Sequence, residues 1–191
     1  MADGGSKTAR YVPDFPLPPY SYVTGRFPHP TRDEAGHSFG HTFKVSVAPS
    51  EDTWPRCREY LLGIDLFNFG YYWEAHEVWE AVWNACGRRG KTADFVKGLI
   101  KLAAAGVKAR EGRAAGVRTH ADRAAALFEK ILAASDAQPT FFGLGLATLG
   151  DEARRLATDA DLLVERAAPR SAPNEPVIPI LELVLAPDFN R

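Results

Sequence analysis

The chain has 191 residues, 46% of them apolar and 25% charged, with a formal net charge of −1. That composition suits one globular domain with irregular extensions, and the charge balance argues against a nucleic-acid or anionic-membrane partner. Two cysteines, Cys57 and Cys86, stand outside any CxxC spacing. They exclude a disulfide framework or a cysteine-rich zinc site and read as reduced thiols of a cytoplasmic protein.

Residues 1–50 are expected to form an extended arm packed on the core, with the first ten loose. Prolines at 13, 16, 18, 19, 28, 30 and 49 forbid helix. Tyr11, Phe15, Tyr20, Tyr22, Phe27, Phe39 and Phe43 are too many rings for a solvated linker. The bundle domain, 51–168, then opens with "SEDTWPRCREYLLGIDLFNFG", a helix with Ser50 or Asp52 as N-cap and Gly70 as terminator. "YYWEAHEVWEAVWNACG" is a second helix ending at Gly87, and "ADFVKGLIKLAAAGVKAREG" a third ending at Gly112. "RAAGVRTHADRAAALFEKILAAS" is a fourth and "FFGLGLATLGDEARRLATDADLLVERA" a fifth, weakened or started late by Gly143 and Gly145. A C-terminal strap, 169–191, has an extended apolar centre at Val177 to Leu185. The expected fold is all-α, an up-and-down bundle of about five helices. Neither a signal peptide nor a membrane span is expected.

The second helix carries the chemistry. Wound at about 100° per residue, Tyr72, His76, Trp79 and Trp83 share one stripe, and Glu80 sits at its edge one turn after His76. Glu74 and Glu77 are expected on the opposite, solvent side. A buried imidazole needs partners for its nitrogens, and the i+4 carboxylate is the nearest one. Such a pair serves either as metal ligands or as a general base with its orienting acid. The competing reading is a buried structural hydrogen bond that holds two helices in register. The run H-E-x-x-E lacks the second histidine of a zincin.

"FNFGYYWEAHEVWEAVW" followed by "FVKGLIKLAAAGVKAREG" resembles the bacterial and archaeal family called domain of unknown function 309. His76, Glu80 and Trp83 match its H-x-x-x-E-x-x-W/Y hallmark. Phe67, Asn68, Gly70, Glu74, Ala75, His76 and Glu77 match the lead-in, and Gly98, Leu99 and Ile100 match the opening of the next helix. The likeness covers about residues 58 to 135. It implies an all-helical fold and a motif suggested to bind metal, with no settled activity. Lys108 stands where many relatives carry a histidine.

Further ligands are sought among the remaining histidines. His120 lies at the edge of the apolar face of the fourth helix and is expected as a third ligand. His37 and His41 sit in "TRDEAGHSFGHTF", where Gly36 and Gly40 disfavour a helix, and they are candidates on a loop folded over the bundle.

The expected site therefore holds a divalent zinc, manganese or iron ion on His76, Glu80 and His120, with Glu80 as ligand or base and hydrolysis as its chemistry. Tyr72, Trp79 and Trp83 form its wall. The alternative is a non-catalytic module for self-association or partner binding. A small-molecule ligand, a homo-oligomer and enzymatic activity itself are left open.

Overall fold

The computed structural model describes residues 10–134, 139–167 and 175–190. The expectations for the loose N-terminal residues before Arg10, for the last bundle residue 168 and for the start of the strap, 169–174, lie outside them. Six α-helices carry the fold: α1 (Arg58–Asn68), α2 (Tyr72–Ala85), α3 (Lys91–Arg110), α4 (Ala114–Ala134), α5 (Leu146–Thr158) and α6 (Ala160–Ala167). Each of α1 to α5 packs on its neighbour in the chain, and α6 folds back on α3 and α4. The class is all-α, with helices packed in the manner of a bundle.

The first expected helix begins late. Ser50 and Thr53 close a turn through their hydroxyls at 2.8 Å. A 3-10 turn, Trp54–Arg56, follows, with Pro55 in its first positions, and α1 starts only at Arg58. Pro55 has no N–H to continue a helix begun at Ser50.

The exit of α1 is where the sequence marks it. Gly70 has φ 85. Its N–H donates to Phe67 O, and Tyr71 N–H donates to Leu66 O at 2.8 Å, which satisfies two terminal carbonyls. Gly87 and Gly112 close α2 and α3 with the same pair of bonds.

The expected fifth helix is a hairpin and two helices. Thr140–Phe141 (β1) pairs antiparallel with Leu144–Gly145 (β2). The connecting residues, Phe142 (φ 48) and Gly143 (φ 73), adopt the positive φ of a two-residue hairpin turn. Core packing overrides helix propensity here. Phe141 stacks on Phe142 with centroids 4.4 Å apart and meets Phe95 at 5.0 Å. The Tyr60 hydroxyl donates to Phe142 O at 2.9 Å.

Arm and strap lie on the bundle as irregular chain, so their backbone groups need side-chain partners. The buried Asp65 of α1 accepts from Tyr11 N–H at 2.9 Å and Val12 N–H at 2.8 Å. On the strap, Asn68 donates to Leu185 O and accepts from Leu185 N–H, both at 2.8 Å. The Tyr72 hydroxyl accepts from the N–H groups of Ile180 and Leu181, and Arg110 donates to Ile178 O at 2.9 Å. Ile180, Leu181, Leu183 and Leu185 are buried beneath it. Most arm aromatics dock, as Tyr20 does on Phe27 at 4.7 Å, but Phe39 is 47% exposed.

Candidate functional site

Helix α2 buries Tyr72, Glu74, Ala75, Val78, Trp79 and Val82. The small and branched residues set the centre of that face, which lies about 80° or more around the helix from His76. His76 is consequently at the edge, with 28% of its side chain exposed, and Glu80 is exposed. Two expectations need correction. The side assigned to solvent is covered by the arm, so Glu74 is only 4% exposed. The internal clasp of His76 and Glu80 does not form: no hydrogen bond joins them among the described residues, because Glu80 turns to the rim.

What does gather on the rim is His76, Glu77 and Glu80. One potential ligand atom from each lies within 4.8 Å of the others. His76 Nδ1 is 3.5 Å from Glu77 Oε1 but misaligned for a hydrogen bond, so Nδ1 is buried without a partner. Glu77, expected to face away, is half-buried beside His76 because adjacent positions on a wide helix edge still bring long side chains together. The i+4 step returns Glu80 to the same edge.

Around this rim lie cations and a second imidazole. Lys101 on α3 is close enough to Glu80 to feel its charge, and burial together with Arg123 and Lys97 lowers the Lys101 pKa. His120 on α4 is held down to about 4, by burial first and then by Lys101, Lys108, Arg123 and His76. Its Nδ1 is also buried without a hydrogen-bond partner. His120 is not a member of the cluster that His76, Glu77 and Glu80 form. Lys108 pairs with Glu111 at 2.6 Å.

The three expected wall residues have other work. Tyr72 is fully buried and holds the strap, and Trp79 is fully buried and donates to Tyr60 O at 3.2 Å. Trp83 is half-buried, with the guanidinium of Arg88 at 5.2 Å and the ammonium of Lys97 at 5.5 Å from its ring.

The open space lies on the other flank of α2, under the arm. A cleft of about 250 Å³ runs between the loop around 31–43 and the helix, and Glu74, Glu77 and Glu80 all line it. His37 and His41 line it from the arm side. The loop that brings them is a succession of tight turns. Gly36 is required there, since a Cβ would sit 2.3 Å from His29 O. His37 Nε2 is 3.2 Å from Glu74 Oε1, Nδ1 is 2.8 Å from the Ser38 hydroxyl, and the ring edge packs on Tyr20. Glu74 Oε1 also accepts from Tyr22 N–H at 2.9 Å. Sequence reasoning missed Glu74, Asp65 and Asn68. A signal was available: each is a polar residue inside an apolar helical run, "LLGIDLFNF" or "YYWEAHEV".

An all-helical domain with an H-E-x-x-E edge on its second helix is the class that this geometry defines. Residues 60–119 match the model of the family described as Domain of unknown function (DUF309). The match runs from α1 into α4 and includes the whole of the His76 rim and the α2 side of the cleft. No curated protein and no solved structure matches the chain. Among the described residues, no helix is long and apolar enough to cross a membrane.

Proposed function

We propose that this protein binds a divalent metal ion on α2 through His76, Glu77 and Glu80. The observation that carries the reading is the convergence of an imidazole nitrogen and two carboxylate oxygens within 4.8 Å, with His76 Nδ1 buried and unpartnered. A buried ring nitrogen without a partner is costly, and a cation removes that cost while it neutralises the two acids. One nitrogen and two oxygen donors suit zinc, manganese or iron(II), and three protein ligands are the usual number at a site that also admits substrate. When bound, the ion would supply Lewis acidity and lower the pKa of its water, the chemistry of hydrolysis.

The chain's own residues divide the remaining roles. Glu77, half-buried beside His76, brings the second donor to the ion. Glu80, the exposed member, is the ligand nearest solvent, where a substrate would arrive. The unpaired thiols of Cys57 and Cys86 suit the reducing cytoplasm, where we place the protein.

Elemental analysis of protein purified without added metal tests the proposal, with thermal melts under zinc, manganese or iron(II) beside it. Near-stoichiometric metal is expected, or a melting temperature that climbs with metal concentration. A free ion at 100 times Kd stabilises by about 2.7 kcal/mol. His76→Ala should lose at least tenfold in affinity while its helical circular dichroism is unchanged. Protein that contains no metal and gains no stability from any of the three ions would refute the reading.

A further inference from the structure

The cleft beneath the arm has a polarity of its own. Its lining includes three carboxylates, Glu74, Glu77 and Glu80, and two imidazoles, with no lysine or arginine among them. Phe15, Trp73 and Phe43 supply apolar wall. Glu74 differs from the other acids because its side chain is only 5% exposed. Its Oε1 is fully used, by Tyr22 N–H and His37 Nε2. Its Oε2 is buried and has no hydrogen-bond partner. A carboxyl oxygen removed from water and left without a hydrogen-bond partner is costly for a fold to keep. The cleft lining offers hydroxyls, an amide and imidazoles but no lysine or arginine, and the charge of Arg110 reaches Glu74 from outside that lining without a hydrogen bond to Oε2.

We propose that this cleft is a binding site for an organic cation, a protonated amine or guanidinium carried on an apolar body, whose N–H groups meet Glu74 while its body rests among Phe15, Trp73 and Phe43. Charge-assisted N–H···O bonds are the strong ones, and a cation against aromatic faces gains further attraction. The cavity of about 250 Å³ admits a molecule the size of an arylalkylamine. Glu77 and Glu80 at the outer end draw the cation inward. The site goes beyond the metal reading, since Glu74 is outside the cluster on His76. The two are separable by experiment.

The test is calorimetric titration of 2-phenylethylamine into the full chain in buffer containing EDTA, with 3-phenylpropionate as a probe of similar size and opposite charge. Saturable binding of the amine is expected, at one equivalent, with the acid at least tenfold weaker. Glu74→Gln should weaken the amine tenfold or more and leave metal affinity unchanged. Ala81→Phe fills the cleft from α2 without altering any charge and should abolish amine binding, which keeps the proposal testable if Glu74→Gln is poorly folded. No saturable binding of the amine by the parent, equal binding of the acid, or full affinity in folded Ala81→Phe would each overturn it. Failure of the metal reading, seen as no metal uptake, leaves these outcomes unaffected because EDTA is present throughout.

Discussion

His120 shows how a single side chain reports its surroundings. Burial, and after it the nearby Lys101, Lys108, Arg123 and His76, push its pKa down from 6.5 to about 4. The unfolded chain therefore takes up this proton first as pH falls. Stability from this group is complete above about pH 6.5 and is lost as pH drops through the interval to about 4. In EDTA, the imidazole resonances of His120 should titrate near 4, and melting temperature should fall across that interval less steeply in His120→Gln than in the parent. A His120 midpoint near 6.5 would show that the three cations do not crowd it. The same scale explains what was hidden in the sequence. Tyr72, His76, Trp79 and Trp83 do share a stripe, but ring size is a poor guide to its depth. Ala75, Val78 and Val82, fully buried, mark the centre, and they displace His76 to the edge. Glu74 was hidden for another reason: the segment that covers it lies 52 residues earlier, and no local period carries that information.

At the scale of elements, helix ends were legible because glycines at 70, 87 and 112 each sit at positive φ one residue past the C-cap. Helix starts were less so, since none of the 3-10 turn at Trp54–Arg56, α1, α2, α3 or α5 uses a side-chain N-cap. The hairpin at 140–145 was read as helix because its aromatic plug is defined by Tyr60 and Phe95, which are distant in sequence. Helix contacts depend on small residues in the same non-local way. A Cβ on Gly106 of α3 would come 2.6 Å from Cγ of Tyr72 on α2. Tyr72 is fixed by its hydroxyl on the strap, so the ring cannot swing aside without breaking two bonds. Gly106→Ala gains helix propensity of about 1 kcal/mol, yet overpacking of about 1–3 kcal/mol opposes it. The expected result is net destabilisation by about 1 kcal/mol, read by urea denaturation. A more stable variant would mean that α2 and α3 separate easily, and with them the rim of His76.

For the whole molecule, α1 acts as the clasp. Three residues apart, Asp65 binds the arm and Asn68 binds the strap, so both irregular ends are tied to one buried helix. The arm in turn roofs the cleft, and the strap locks Tyr72 at the start of α2. Stability and site geometry are thereby coupled through a helix that contributes none of the proposed metal ligands and only Leu66 to the cleft. Asn68→Leu keeps the side-chain volume and removes both bonds to Leu185. It leaves a buried N–H and a buried C=O without partners, at about 1–3 kcal/mol each, so a loss of about 2–4 kcal/mol is expected after relaxation. In a chain that ends at residue 176, those partners are gone in advance. Asn68 must then be satisfied by water in the groove left by Ile180, Leu181, Leu183 and Leu185, and its replacement by leucine should cost little. The double-mutant cycle therefore predicts a coupling close to the whole single-mutant effect. Additive losses in the two backgrounds would show that Asn68 stabilises α1 by itself, and that the strap is a passive cover.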